Sequence, residues 1–95
     1  MVIGICTIEL YIPGCDSLKE KRGVLKSLMA RLHREFNISV TEIELHDVWQ
    51  SAAIAVAVVT NGNAHAEQTL ASVVRWIENN RPEVEVVGEE VELIK

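Results

Sequence analysis

Residues 17 to 22 read SLKEKR, and six of the nine lysines and arginines of this 95-residue chain fall between Lys19 and Arg34. A cluster of cations at the start of a helix runs against the peptide dipole, which is already positive there; a first-turn lysine is unfavourable by a few tenths of a kcal/mol to about 1 kcal/mol. Phosphate is the chemistry that would justify it. Free N–H groups and the dipole favour an anion at a helix N-terminus, and each cation alongside can neutralise one phosphate of a nucleic-acid backbone. At helical spacing Lys19, Arg22, Lys26 and His33 fall within about 60° of one another. Gly23, Ser27 and Ala30 beside them leave room for close approach. The expected anion- or RNA-binding set is Lys19, Lys21, Arg22, Lys26, Arg31 and Arg34.

A second cluster is His46-Asp47, with Trp49 and Gln50 close by. An aspartate beside a histidine can orient it for proton transfer. No nucleophile, metal triad or glycine-rich phosphate loop accompanies the pair, so the simpler reading is structural: Asp47 caps a turn, Trp49 anchors it by packing, and His46 ends a strand. His33 and His65 are lone helical positions. Cys6 in an expected strand and Cys15 in an expected loop form neither a disulfide framework nor a metal pattern. Cys15 stands two residues before the helix cap, where the dipole could lower its pKa and make the thiol reactive, a property that alkylation rate against pH would test. No catalytic residue, metal ligand or cofactor is assigned, and the chain is expected not to be an enzyme.

A net charge of -5 argues against nucleic-acid binding over the whole surface. The carboxylates gather away from the basic run, at Glu42 and Glu44 and in the tail at Glu85, Glu89, Glu90 and Glu92, so the surface should carry a basic helix and an acidic margin. The length suits one two-layer domain, residues 1–95. The longest apolar run, AAIAVAVV at 52–59, is too short to span a membrane. MVIGICTIEL lacks the basic flank and cleavage site of a signal peptide, which makes the cytoplasm the expected compartment.

The periods define the elements that must position these groups. VIGICTIELYI (2–12) reads as a strand ending at Pro13-Gly14. Ser17 and Glu20 fit a capping box, in which the hydroxyl accepts from the first turn and the carboxylate reaches back to the cap's own N–H. Leu18, Leu25, Leu28, Met29, Leu32 and Phe36 then form the apolar stripe of a helix that ends near Asn37. ISVTEIELH (38–46) and SAAIAVAVVT (51–60) read as strands, with Ile54, Val56 and Val58 facing the helices. Asn61-Gly62-Asn63 turns the chain and supplies the cap of a second helix, whose inner face is Ala66, Leu70, Val73, Val74 and Ile77. Arg81-Pro82 stops it, and EVEVVGEEVEL is a last strand with a bulge or bend at Gly88.

The order β-α-β-β-α-β predicts an α+β, ferredoxin-like split βαβ fold: a four-stranded antiparallel sheet ordered 4-1-3-2, with both helices on one face. An acylphosphatase, which shares this fold class, needs an arginine in a phosphate-cradling first loop; YIPGCDS has none. The free face, lined by Ile3, Ile5, Thr7, Tyr11, Ala53, Ala55, Ala57 and Val59, is too apolar to leave in water. Either a second copy covers it, giving a homodimer, or long side chains from the edge strands fold over it. It lacks the aromatic pair that an RNA-recognition-motif sheet uses for stacking, since only Tyr11 is near. Electrostatic binding therefore belongs to the helix side.

SLKEKR, the basic helix ending in HREFNISVTEIE, and HDVWQSAAIAVAVVTN together resemble the YlxP-like family of small bacterial proteins, over the length of the chain. The resemblance implies a ferredoxin-like fold and, because the gene in many bacteria lies among translation and ribosome-maturation genes, a role near the ribosome. It brings no catalytic residue and no ligand. The expectation is thus a non-enzymatic domain that meets ribosomal or other structured RNA through its basic helix. The alternatives are a homo-oligomeric interaction or regulatory module using the open sheet face, in which the basic helix only pairs with acidic strands or with solvent, and a small enzyme using His46-Asp47.

Overall fold

The computed structural model describes residues 1–44 and 48–95. β1 (Val2–Tyr11) is followed by α1 (Leu18–Glu35), β2 (Ser39–Glu44), β3 (Ser51–Thr60), α2 (Asn63–Asn80) and β4 (Glu85–Ile94). The four strands form one antiparallel sheet in the order β2-β3-β1-β4, the expected 4-1-3-2 read from its other edge. The strand expected at 38–46 is seen over Ser39–Glu44, and its last two positions lie outside the described residues.

Alternation decides which side of the sheet is filled. Cys6, Ile8 and Leu10 of β1 and Ile54 and Val56 of β3 point to one face, where Leu25, Leu28 and Leu32 of α1 and Ala66, Leu70, Val73 and Ile77 of α2 close over them. Burying one large side chain of this kind contributes about 1.5–3 kcal/mol. Met29 and Phe36 pack half-buried at the rim of that core. α1 lies over β2, while α2 lies over β1, β3 and β4. The basic helix lies over one edge of the sheet, and the glutamate-rich β4 forms the other edge.

The helix ends follow local chemistry. Ser17 is extended, and its Oγ accepts from the Glu20 N–H at 3.1 Å. Glu20 Oε2 accepts from the Asp16 N–H at 2.7 Å, one residue earlier than the cap's own N–H expected of a capping box. α2 begins on Gly62 with no side-chain cap bond, and Asn63 is its first helical residue, so the asparagine cap expected from Asn61-Gly62-Asn63 is not made. Instead Thr60 Oγ1 accepts from the Gly62 N–H at 3.3 Å, holding the turn from the strand side. Arg81 ends α2, its N–H donating to the Ile77 carbonyl. The irregularity expected near Gly88 is a bulge: Gly88 pairs with Glu9 and Val86 with Leu10, which leaves Val87 extra and exposed.

Gly4 sits where α2 comes closest to β1. A Cβ there would meet Leu70 Cδ1 at 3.1 Å, Ala66 Cβ at 3.2 Å and Val58 Cγ1 at 3.3 Å. Gly4→Ala is expected to lower stability by about 1–3 kcal/mol, because three core side chains must yield together. A urea titration against the parent measures it.

Candidate nucleic-acid interface

α1 turns its core side inward through Leu25, Leu28 and Leu32, so its opposite side faces solvent. Lys19, Arg22, Lys26 and Arg34 are exposed there, as is His33. Among the described residues none of these four cations forms an ion pair. At 1.5 Å per residue the row from Lys19 to Arg34 runs about 22 Å. Arg31 stands apart on the α2 side: its guanidinium lies 5.5 Å from the centroid of the Trp76 ring and 3.6 Å from Glu35. Five of the six expected residues thus divide into four surface cations and an arginine that joins the two helices.

Lys21 leaves the set altogether. It is buried, 1% exposed, and points into the protein with Leu25 and Leu28. Its Nζ donates to the Val48 carbonyl at 2.7 Å and lies 3.3 Å from Glu42 Oε2. Glu42 Oε2 is itself buried, and the ammonium is its partner by charge rather than by an aligned hydrogen bond. An ammonium taken out of water must be paired; Lys21 is paired by the strand β2 and the segment leading into β3. It is a structural lysine and cannot meet a ligand on the outer face.

The helix N-terminus is likewise taken. Ser17 Oγ occupies the Glu20 N–H, and the Glu20 carboxylate lies against the Asp16 N–H. A phosphate arriving there would meet a carboxylate, so the expected anion site at the first turn gives way to the lateral row of side chains. A groove is close by: a cavity of about 630 Å³ lies between α1, the β1–α1 loop and the loop from α2 to β4, lined in part by Pro13, Val24, Ser27 and Arg81. Arg81 forms one wall by pairing with Glu83 at 2.9 Å and donating to Ser27 Oγ at 3.3 Å. The hydrogen bond that Arg81 Nε donates to Glu83 Oε2 holds the Glu83 carboxyl below its ordinary pKa. The cavity's one cation is thereby already spent on the fold.

The other candidates are also placed. His46-Asp47 lies outside the described residues. Trp49, expected to anchor its turn by packing, is 51% exposed. Its neighbours dock in its stead: Val48 accepts from Lys21, and the Ile12 N–H donates to the Gln50 carbonyl at 2.8 Å. Cys15 is buried, and its Sγ donates to the Ser17 carbonyl at 3.2 Å, so it is not presented as a reactive thiol beside the helix. Cys6 is buried too, and burial followed by the Glu89 charge raises its pKa from 9.0 to about 11. Its thiol stays neutral in the folded state while the unfolded thiol ionises. Stability should therefore fall as pH rises from 9.0 to about 11, by about 1.4 kcal/mol per unit at most. Cys6→Ala should lack that slope in thermal melts across the same range.

The open face of the sheet carries the residues expected of it. Ile3, Ile5, Thr7, Ala55 and Ala57 are half-buried, Tyr11 and Val59 are exposed, and Ala53 is enclosed by its neighbours. At the Ile3 end of the sheet the face stays open, with Val59 65% and Ile94 44% exposed. β4 adds Glu90 and Glu92 at one margin, and β2 adds Ser39 and Thr41 at the other. No described helix is long and apolar enough to cross a membrane.

Comparison with known proteins agrees with this architecture. The chain matches a designed protein, "De novo designed protein Foldit4", with a TM-score of 0.53 at 12% identity, over 100% of this chain and 98% of that one, which is a likeness of fold. It is 37% identical over 84 residues to "Uncharacterized protein YlxP" of Bacillus subtilis, covering 88% of this chain and 90% of the relative. Residues 3–91 match the family model described as "Protein of unknown function (DUF503)". The chain belongs to the DUF503 family, described as of unknown function, and is similar to YlxP.

Proposed function

We propose that this domain is a non-enzymatic binder of structured RNA, with ribosomal RNA its foremost partner, and that it docks through the outer face of α1. The observation that carries the reading is the row of Lys19, Arg22, Lys26 and Arg34, exposed and without ion pairs among the described residues. In a chain of net charge -5, four such cations on one helix are a local field, not an average. Glutamates on β4, the sheet edge opposite the one that α1 covers, would turn the same polyanion away. Trp49, half-exposed, adds a surface on which an unpaired base can stack, and Lys21 ties its neighbour Val48 to the first turns of α1.

Binding by phosphate neutralisation has a measurable signature. Contact with about four phosphates predicts affinity falling roughly 100-fold as monovalent salt rises from about 50 to about 200 mM. Fluorescence anisotropy with a labelled ribosomal RNA fragment gives that slope. A flat salt response would remove the electrostatic basis of the proposal.

A further inference from the structure

The pairing of the sheet places residues in rows that run straight across all four strands. One row reads Ser39, Ala57, Ile5 and Glu92 from β2 to β4, and the next reads Thr41, Ala55, Thr7 and Glu90. All of these lie on the face away from the helices. Each row has the same profile: a hydroxyl at one edge, a small side chain, a larger one, and a carboxylate at the other edge.

Such a row is complementary to itself when reversed. We propose that two copies of this chain pack open face to open face about a two-fold axis parallel to the strands, between β1 and β3. In that arrangement β1 of each copy lies over β3 of the other, and β4 over β2. Ile5 then fills the space above the partner's Ala57, and Glu92 and Glu90 come over the partner's Ser39 and Thr41, whose hydroxyls can donate to carboxylates. Large-on-small packing is what two sheet faces about 10 Å apart need in order to interdigitate. The other two-fold, perpendicular to the strands, stacks β1 on β1, alanine on alanine and β4 on β4. It leaves a void along β3 and sets glutamate rows against each other.

The other carboxylates that β1 and β4 place on this face fit the first arrangement, and Glu85, level with Tyr11, belongs to the acidic edge itself. Glu9 lies over Gly88, its Oε2 3.4 Å from where a glycine Cβ would be, so it leans toward the acidic edge and away from the alanine strip. Both α1 helices point outward in the pair, leaving their cations free.

Sedimentation velocity at micromolar concentration tests association, with a dimer expected for the parent and a folded monomer for Ala57→Glu, whose charge would face the partner's Ile5. Orientation is read from cross-linking. Ser39→Cys and Glu92→Cys chains, each alone and then mixed and treated with a short bis-maleimide that spans the roughly 10 Å between packed sheets, should give a cross-linked dimer only in the mixture. The two native thiols are buried and provide the background control. A monomeric parent, a dimeric Ala57→Glu protein, no cross-link in the mixture, or a cross-link from the Glu92→Cys chain alone would overturn the proposal. RNA binding by the Ala57→Glu monomer separates this interface from the α1 face.

Discussion

Lys21→Met should lower the stability of this domain by about 3 kcal/mol or more, the size seen when one partner of a buried ion pair is removed. For a chain of this length that is a fall in Tm of roughly 12–24 °C. The methionine keeps the stem of the side chain among Leu25 and Leu28, so the loss is that of the ammonium. It leaves Glu42 Oε2 buried beside a thioether and the Val48 carbonyl without its donor. Arginine should not restore it, because a planar fork does not fit a site shaped around one small cation. The neighbouring cations give the contrast: Lys19→Met and Arg22→Met are surface changes and should stay within about 0.5 kcal/mol of the parent. Urea midpoints of these three variants, adjacent in sequence and all removing one positive charge, separate the lysine that folds the protein from the cations that do not.

The second large effect is on binding. Replacing Lys19, Arg22 and Lys26 together by glutamate removes three of the four free cations and puts three carboxylates in their place. Affinity for structured RNA should drop by at least roughly 100-fold at low salt, and the salt dependence that remains should be shallow, because its slope counts the phosphates neutralised. Folding should survive. A glutamate at position 19 is better suited to the helix dipole than the lysine it replaces, by a few tenths of a kcal/mol to about 1 kcal/mol. A folded protein that has lost binding is therefore the expected phenotype, the reverse of the Lys21→Met case.

The contrast shows where the sequence is readable. Period and alternation specify the strands, the helices and the inward faces, because burial obeys geometry whatever lies beyond it. The same helical wheel places Lys21 within about 60° of Leu25, Leu28 and Leu32. That angle is the signal for a buried lysine, while its charge alone argues for an outward one. What α1 cannot disclose is the partner: the Val48 carbonyl and Glu42 come from 27 and 21 positions along the chain, and only the fold brings them near. The N-terminus of α1 is a case of two readings of one motif. Ser17 and Glu20 announce a capping box, and a filled cap is also a filled anion site. Trp49 carries no periodic pattern to give its direction. Its exposure is set by the docking of Val48 and Gln50 on either side, which are contacts to α1 and to the end of β1.

The rows across the sheet lie between these cases. Each strand's inward and outward sets are legible, but which hydroxyl stands level with which glutamate depends on register and on the bulges at Glu42/Glu44 and Glu9/Leu10. A shift of one residue in β4 would move Glu90 and Glu92 to the helix face.

The most direct test of the central claim is co-sedimentation of the protein with purified ribosomal subunits at low and moderate salt, beside the folded Lys19→Glu, Arg22→Glu, Lys26→Glu variant. Saturable binding by the parent that weakens with salt and is lost by the variant is the result expected of a working α1 face. Equal behaviour of the two proteins, bound or unbound, would contradict it.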